Sequence, residues 1–418
     1  MSKFLYNVGI RAYRLGVSLA SPFHAKAAKW QQGRSQLFEN LEKAFKDNKA
    51  PVIWFHCASL GEFEQGRPLI EGFRERHPEY KILLTFFSPS GYEVRKNYPG
   101  ADYICYLPLD TKENARRFVQ LVKPKMAVFV KYEFWHHFTK ALKKLHIPLF
   151  SVSAIFRPNQ IYFRKRGAFY RRILERFFHI YTQNQESATL LSSLNFSKVS
   201  TAGDTRVDRV LQTAASAAPI PVAAAFKGSS PVMVVGSSWP EDLKVLLPFM
   251  QQHLPHLKFI LAPHEIRERE LREIETRFPQ QAVRFSQADA QTVARHQILL
   301  IDNIGMLSSL YQYADYAYVG GAFKTGLHNT LEPAVFGPPI FFGPKYAKFQ
   351  EAIDLAEAGV AFPVKSTGEL SAIFERLQKN PAEKNRIQSK AQEYLQKQAG
   401  ASQRILTALE YWLPLPKA

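Results

Sequence analysis

VGGAFKTGLHNTLEPAVFGPPIFFGP, running from Val319 to Pro344, joins a strand end, a glycine turn, a helix start and a second strand in one short stretch. The apolar run Tyr316 to Val319 reads as a strand, and Gly320-Gly321 stop it where a backbone can approach a ligand closely. The loop then carries His328 and Asn329 to a short apolar segment, Leu331 to Phe336, with Asn329 or Thr330 as its N-cap. A second strand, Pro339 to Phe342, ends at Gly343-Pro344. In α/β proteins this order of elements binds phosphates, because unpaired helix N–H groups face the ligand. Glu332 lies one turn into the helix, where a carboxylate either accepts from two vicinal ribose hydroxyls or serves as a partner for the helix dipole.

Outward from this stretch the chain keeps the same rhythm. Apolar runs at Val52–Phe55, Lys81–Phe86, Tyr103–Tyr106, Met126–Val130 and Leu149–Val152 alternate with helical patterns, and a last βα unit of this half runs from Ile180 to Leu191. The second half repeats it at Val232–Val235, Phe259–Ala262 and Leu299–Asp302. Repeated βα units predict α/β architecture with parallel sheets covered on both faces and functional loops at the carboxyl ends of the strands. Small residues and prolines within Leu211–Ser230 predict a boundary. The expected division is a helix over 1–24, a first domain over 25–212, a linker over 213–230 and a second domain over 231–418.

With 418 residues, 46% hydrophobic and 22% charged, the chain has the composition of a globular protein of two or three domains. Two cysteines, Cys57 and Cys105, make neither a disulfide framework nor a zinc site and suit a reducing, cytoplasmic compartment. The net charge of +19 is unevenly placed: residues 1–200 hold 32 Lys and Arg against 15 Asp and Glu, whereas 201–418 hold 23 against 21. The basic half is expected to meet an anionic surface or substrate. Phe4 to Ala20 is too interrupted for a membrane span, which needs ~20 consecutive apolar residues. Lys3, Asn7, Arg11, Arg14 and Ser18 form one polar stripe on a helix whose other faces carry Phe4, Leu5, Val8, Leu15 and Leu19. That pattern describes a helix lying in a membrane interface, or one packed on the protein's own core. Lys26, Lys29, Trp30 and Arg34 follow as a basic segment suited to anionic headgroups.

Three loops of the first half carry candidate chemistry. ASLGEFEQGRPL places Glu62 where a helix begins after the first strand, as a catalytic carboxylate or a dipole partner. KYEFWHHF places Glu133 and Trp135 after another strand, and Trp135 reads as core packing. Phe156–Arg176 sets Arg157, Arg164, Arg166, Arg171, Arg172 and Arg176 among aromatics. Nucleic acid suits such a stretch, yet no recognition helix, RNP-like strand or zinc pattern accompanies it, so no nucleic-acid partner is expected. No P-loop ending in GK[ST] and no metal-ligand cluster occurs, so neither ATPase activity nor a metal cofactor is expected.

Taken in order, these motifs resemble the Kdo transferases, bacterial enzymes that move 3-deoxy-D-manno-octulosonic acid from CMP onto lipid A precursors. Gly320-Gly321 followed by HNTLEPA resembles the family's donor-side signature, and Ser59, Gly61 and Glu62 match its S-x-GE motif. KYEFWHHF is similar to E-T-E-L-W-P-N, with Glu133 and Trp135 preserved and Lys131, Tyr132, His136 and His137 departing. GDTRVD at Gly203–Asp208 resembles GN-x-KFD, with Arg206 in place of lysine. GSSWPEDL is similar to S-T-H-x-x-E without its histidine; APHEIRER resembles P-R-H-P-E-R without the arginine before His264; DNIGML is similar to D-x-x-GEL with Met306 for glutamate. The resemblance covers about residues 4–360. It implies two Rossmann-like domains facing a cleft, the GT-B type, and an inverting glycosyltransferase of lipopolysaccharide core biosynthesis that uses CMP-Kdo as donor substrate. It implies Glu62 as general base, Glu133 as a second acid at the reacting centre, and Arg206 as the charge that offsets the departing CMP. Pro263, His264, Ile304, Gly305, Met306, Asn329, Thr330, Leu331 and Glu332 are implied as the nucleotide site. The acceptor implied is a phosphorylated glycolipid at the cytoplasmic face of the inner membrane. A UDP-sugar transferase or epimerase of the same architecture is the alternative.

Overall fold

In a computed structural model that describes residues 3–254, 256–324 and 326–413, the chain divides into two compact units, Met1–Asp208 with Ala399–Ala418, and Arg209–Gln398. Each is built on a sheet of seven parallel strands. The first comprises Val52–Cys57 (β1), Lys81–Phe86 (β2), Tyr103–Tyr106 (β3), Met126–Val130 (β4), Leu149–Ala154 (β5), His179–Thr182 (β6) and Val199–Thr201 (β7), in the order β3-β2-β1-β4-β5-β6-β7. The second comprises Val232–Ser238 (β8), Lys258–Pro263 (β9), Ala282–Arg284 (β10), Ile298–Leu300 (β11), Tyr316–Val319 (β12), Ile340–Phe342 (β13) and Ala361–Pro363 (β14), in the order β10-β11-β9-β8-β12-β13-β14. Central strands such as VIWFHC and MAVFV are wholly buried, because helices cover both faces of a parallel sheet.

The order of each sheet reverses at one place, where β1 lies between β2 and β4, and where β8 lies between β9 and β12. Ligands of open α/β sheets bind beside such reversals, outside the carboxyl ends of the strands. Three of the seven described non-glycine residues with positive φ lie at these ends. Lys131 directly after β4 (φ 63°), Ser153 in β5 (φ 54°) and Ser237 in β8 (φ 53°) all adopt the left-handed conformation, which costs non-glycine residues about 1–3 kcal/mol each and marks functional positions.

Two boundaries differ from the expected division. The stretch expected to link the domains is largely helical, Thr205–Ala215 and Pro221–Lys227, and the second of these belongs to the second unit. The last helix, Ala401–Glu410, packs on the first unit rather than the second. Ile405, Leu406 and Leu409 are buried in the first unit's core, contributing about 1.5–3 kcal/mol each by area. Asp208 fixes the start of that helix by accepting from Gly400 N and Ser402 N, both at 2.6 Å.

The N-terminal helix, Lys3–Ala20, lies on the first unit through one narrow face. Tyr6 Oη donates to buried Asp110 at 2.5 Å, His137 Nε2 donates to Asn7 at 2.7 Å, and Tyr13 meets Trp30 edge-on. On the opposite face Phe4, Leu5, Val8, Leu15 and Leu19 are exposed, with Lys3, Arg11 and Arg14 exposed on its flank. Among the described residues no helix is long and apolar enough to cross a membrane. Of the basic segment after it, Lys26 and Lys29 are exposed, but Trp30 and Arg34 are taken up by the fold. Trp30 is buried, and Arg34 donates to the carbonyls of Trp30, Phe87 and Leu107 at 2.8–3.0 Å while lying over the Trp30 ring.

Candidate active site

Glu62 and Glu133 flank the reversal of the first sheet. Helix Leu60–Arg76 starts directly after β1, and Glu62 in its first turn accepts a hydrogen bond from the Ser59 hydroxyl. Glu133 follows β4, the strand beside β1, with its side chain 12% exposed. Its Oε2 receives His56 Nε2 at 3.0 Å and Trp135 Nε1 at 2.7 Å. Both carboxylates act on Cys57, whose thiol is pushed up first by burial and then by Glu62 and Glu133. Tyr132 is raised by burial and lies within reach of Arg157, Glu62 and Arg206, so these groups form one neighbourhood.

Arg206 reaches it from the far edge of the sheet. Gly203 (φ 98°) turns the chain after β7, and Asp204, buried, accepts from Arg206 N at 3.0 Å, Nε at 3.1 Å and Nη2 at 2.6 Å. Burial alone would raise Asp204, but the charge of Arg206 and its hydrogen bonds hold the carboxyl below the usual range. The polar surroundings assign the Gln65 amide oxygen to accept from Arg206 Nε, Gln183 Nε2 and Lys131 Nζ, at 3.2–3.3 Å. Thr205 Oγ1 donates to Gln65 O at 2.6 Å, which pins the Arg206 helix to the Glu62 helix. Not every arginine of Phe156–Arg176 is free for a ligand. Arg176 donates to His136 O at 2.6 Å, Arg171 to Tyr162 O at 2.9 Å and the exposed Arg164 to Asn159 O at 3.0 Å, whereas Lys165, Arg166 and Arg172 are exposed.

In the second unit the Gly320–Glu332 loop follows β12, and Ser237 and Ser238 end β8 with Trp239 directly after it, so they flank the other reversal. A Cβ at Gly320 would collide with the backbone of Ser237 and Ser238, and Gly321 has φ 97°. Asp242, buried in the first turn of helix Pro240–His253, holds that turn by accepting from Gly321 N at 2.9 Å, Tyr318 Oη at 3.0 Å and Trp239 N at 2.9 Å. Pro263 ends β9, and His264 N donates to Ser238 O at 2.9 Å. The His264 ring stacks on Trp239, with centroids 4.3 Å apart, and lies 4.5 Å from His328. Trp239 Nε1 donates to His328 Nε2 at 3.3 Å; burial, then the neighbouring His264, holds His328 down to about 4.

Glu332 has both oxygens engaged, Oε2 by Ser308 Oγ at 2.9 Å and Oε1 by Asn329 Nδ2 at 3.1 Å. Ser308 belongs to helix Leu307–Leu310, so this bond brings Ile304, Gly305 and Met306 to the Glu332 loop. Ile304 is 93% exposed and Gly305 has φ 101°. The helix at Glu332 is only Leu331–Ala334, a single turn whose summed dipole is slight, so the side chains there carry more weight than a dipole. Its start is capped by the Asn329 side chain, which accepts from Leu331 N at 3.1 Å, while Thr330 is buried beside it.

A family model described as 3-Deoxy-D-manno-octulosonic-acid transferase (kdotransferase) matches residues 33–209. The 3-deoxy-D-manno-octulosonic acid transferase of Chlamydophila psittaci is 28% identical over 319 residues, 73% of this chain and 72% of the relative. That of Aquifex aeolicus is 28% identical over 348 residues, 80% of this chain and 89% of the relative. The chain is similar to Kdo transferases over most of its length. It is therefore a glycosyltransferase. Among solved structures, UDP-GlcNAc 2-epimerase from Neisseria meningitidis (TM-score 0.60, 15% identity, covering 86% of this chain and 100% of that one) shares the fold. So does Acinetobacter baumannii MurG (TM-score 0.54, 13% identity, covering 87% and 99%). The expected α/β, GT-B-like architecture is thereby shown, and at these identities nothing beyond the fold follows.

In this chain the sequence-predicted residues fall into two groups. Glu62, Glu133 and Arg206 come together on the first unit; Pro263, His264, Ile304–Met306 and Asn329–Glu332 lie at strand ends of the second. Sequence reasoning missed His56, Gln65, Asp204 and the ring stack of Trp239 with His264. Only His56 left a signal, a polar residue interrupting the apolar run VIWFHC at its carboxyl end.

Proposed function

We propose that this chain moves Kdo from CMP-Kdo to a hydroxyl of a phosphorylated lipid A precursor of the lipid IVA type, with inversion. The observation that carries the reading is Glu62, poised at the reversal of the first sheet with Ser59 on one oxygen and Glu133 in the same neighbourhood. Glu62 takes the proton of the acceptor hydroxyl, a role typically worth 10²–10⁴-fold in rate. Glu133 is the second acid at the reacting centre. Arg206 balances charge on the departing CMP, and its rigid pairing with Asp204 supports a fixed geometry for it. On the second unit Glu332 receives the ribose hydroxyls of CMP, its carboxylate already aligned by Ser308 and Asn329. His264, with Pro263, the Ile304–Met306 loop and Asn329–Leu331, holds the rest of the nucleotide.

The exposed cations Arg164, Lys165, Arg166 and Arg172 suit the phosphates of the acceptor. The N-terminal helix suits the anionic inner-membrane surface on its cytoplasmic side, because its exposed apolar stripe stands opposite its docking face with basic residues alongside. Incubating the chain with CMP-Kdo and a tetra-acylated lipid A precursor tests the reading: product heavier by Kdo, with CMP released, supports it. Release of CMP without a heavier lipid contradicts the acceptor assignment.

A further inference from the structure

Glu133 stands at the end of a chain of side chains that starts inside the first sheet. The Trp54 indole N–H can only donate, so Thr85 Oγ1, 2.8 Å away, accepts there. The Thr85 hydroxyl has one proton to give and two acceptors in view, His56 Nδ1 at 2.8 Å and Phe55 O at 3.4 Å. The shorter contact takes it. His56 Nδ1 is then the acceptor and the imidazole proton sits on Nε2, 3.0 Å from Glu133 Oε2. If His56 gains a second proton, Nδ1–H has Thr85 O at 3.1 Å and the hydroxyl turns to Phe55 O, so Nε2–H still points at Glu133. A neutral ring protonated on Nδ1 would set a lone pair against the carboxylate.

Trp135 Nε1 donates to the same oxygen at 2.7 Å, and among the described residues no donor meets Glu133 Oε1. We infer that His56 is a positioning residue: with Thr85 and Trp54 fixing its tautomer, its Nε2–H and the Trp135 indole hold Glu133 Oε2 and leave Oε1 for the substrate. This rests on Glu133 belonging to the reacting centre. His56 is fully buried, so it acts through Glu133 and touches no ligand itself. It also packs edge-on against Phe129, ring centroids 5.2 Å apart, and the test must separate packing from hydrogen bonding.

Transfer by the full chain from CMP-Kdo to detergent-dispersed precursor is compared for His56→Leu, His56→Gln and Glu133→Gln. His56→Leu removes the donor and lowers kcat roughly ten-fold or more, with KM for CMP-Kdo unchanged. His56→Gln restores an N–H donor and recovers kcat to within about threefold of wild type. Equal rates in the leucine and glutamine variants overturn the inference, since packing would then be the whole role. Nitrogen-15 spectra of histidine-labelled wild type give a readout that needs no variant to fold. The His56 signal is expected as the neutral Nε2–H tautomer or the imidazolium, and a neutral Nδ1–H tautomer overturns the inference. Glu133→Gln distinguishes the two layers: full activity there removes Glu133 from the site and the inference with it. Inactive Glu133→Gln beside fully active His56→Leu overturns the inference alone.

Discussion

Glu62 and Glu332 are both first-turn acids, and their surroundings set them apart from ordinary dipole partners. Glu62 shares its electrostatic neighbourhood with Glu133, Arg206 and Arg157. Glu62→Gln is expected to abolish transfer while leaving CMP affinity nearly unchanged, because the nucleotide is assigned to the other unit. Turnover within threefold of wild type would remove the base assignment. Glu332→Ala takes away a carboxylate held by Ser308 and Asn329, and calorimetry should show CMP binding weaker by roughly 1.5–3 kcal/mol. Equal affinities would return Glu332 to the role of a dipole partner. Sequence alone could point to these carboxylates, because each sits just after a strand and within a recognisable motif. It could not point to what orients them. Thr85 lies 29 residues from His56, and Asp204 was only the acid beside Arg206 until the fold showed the two paired.

At the scale of elements, the N-terminal helix is tied down by few groups. Burial first, then the charge of Arg176, holds His136 down to about 3, and burial, then Lys3, holds His137 down to about 4. Histidines whose folded pKa lies below the unfolded value near 6.5 contribute stability that is fully present above pH 6.5 and lost as pH falls through about 4. Asp110 acts in the opposite sense: burial pushes it up to about 6, so its contribution is present below its unfolded value and lost as pH rises through 6. Two histidines displaced farther outweigh one carboxyl, and docking of the helix should weaken on acidification. Hydrogen exchange over residues 3–20, corrected for intrinsic rates, should show lower protection at about pH 4.5 than at pH 7; equal protection would contradict this. Leu15→Glu with Leu19→Glu alters side chains 61% and 67% exposed. Sedimentation with anionic vesicles should fall while the melting temperature holds, and unchanged sedimentation would move the membrane contact elsewhere. At the other end of the chain, Asp208→Ala removes the acceptor for two N–H groups of the last helix and should cost about 1–2 kcal/mol in urea unfolding. A cost near zero would mean that Ile405, Leu406 and Leu409 alone hold the helix. From sequence, the last helix read as part of the second half because it follows it, and no local pattern encodes its packing partner.

For the whole molecule, the two sheets were legible because buried parallel strands read as unbroken apolar runs. The strands that escaped notice, β7, β10 and β14, are three-residue edge strands, too short for a periodic signal. The basic balance of the first 200 residues was equally legible, but its distribution was not. Arg34, Arg164, Arg171 and Arg176 donate to backbone carbonyls, while Lys165, Arg166 and Arg172 are exposed and suit an anionic ligand. Similarity to the Kdo transferases points to the sugar transferred, and the central claim is its passage from CMP-Kdo to a lipid A precursor. One measurement reaches that directly: mass analysis of the lipid, with CMP quantified, after incubation with CMP-Kdo and lipid A precursor beside a Glu62→Gln control. The expected result is a lipid heavier by at least one Kdo with stoichiometric CMP in the wild type and neither in the control. An unmodified lipid, or transfer that proceeds equally without Glu62, would contradict it.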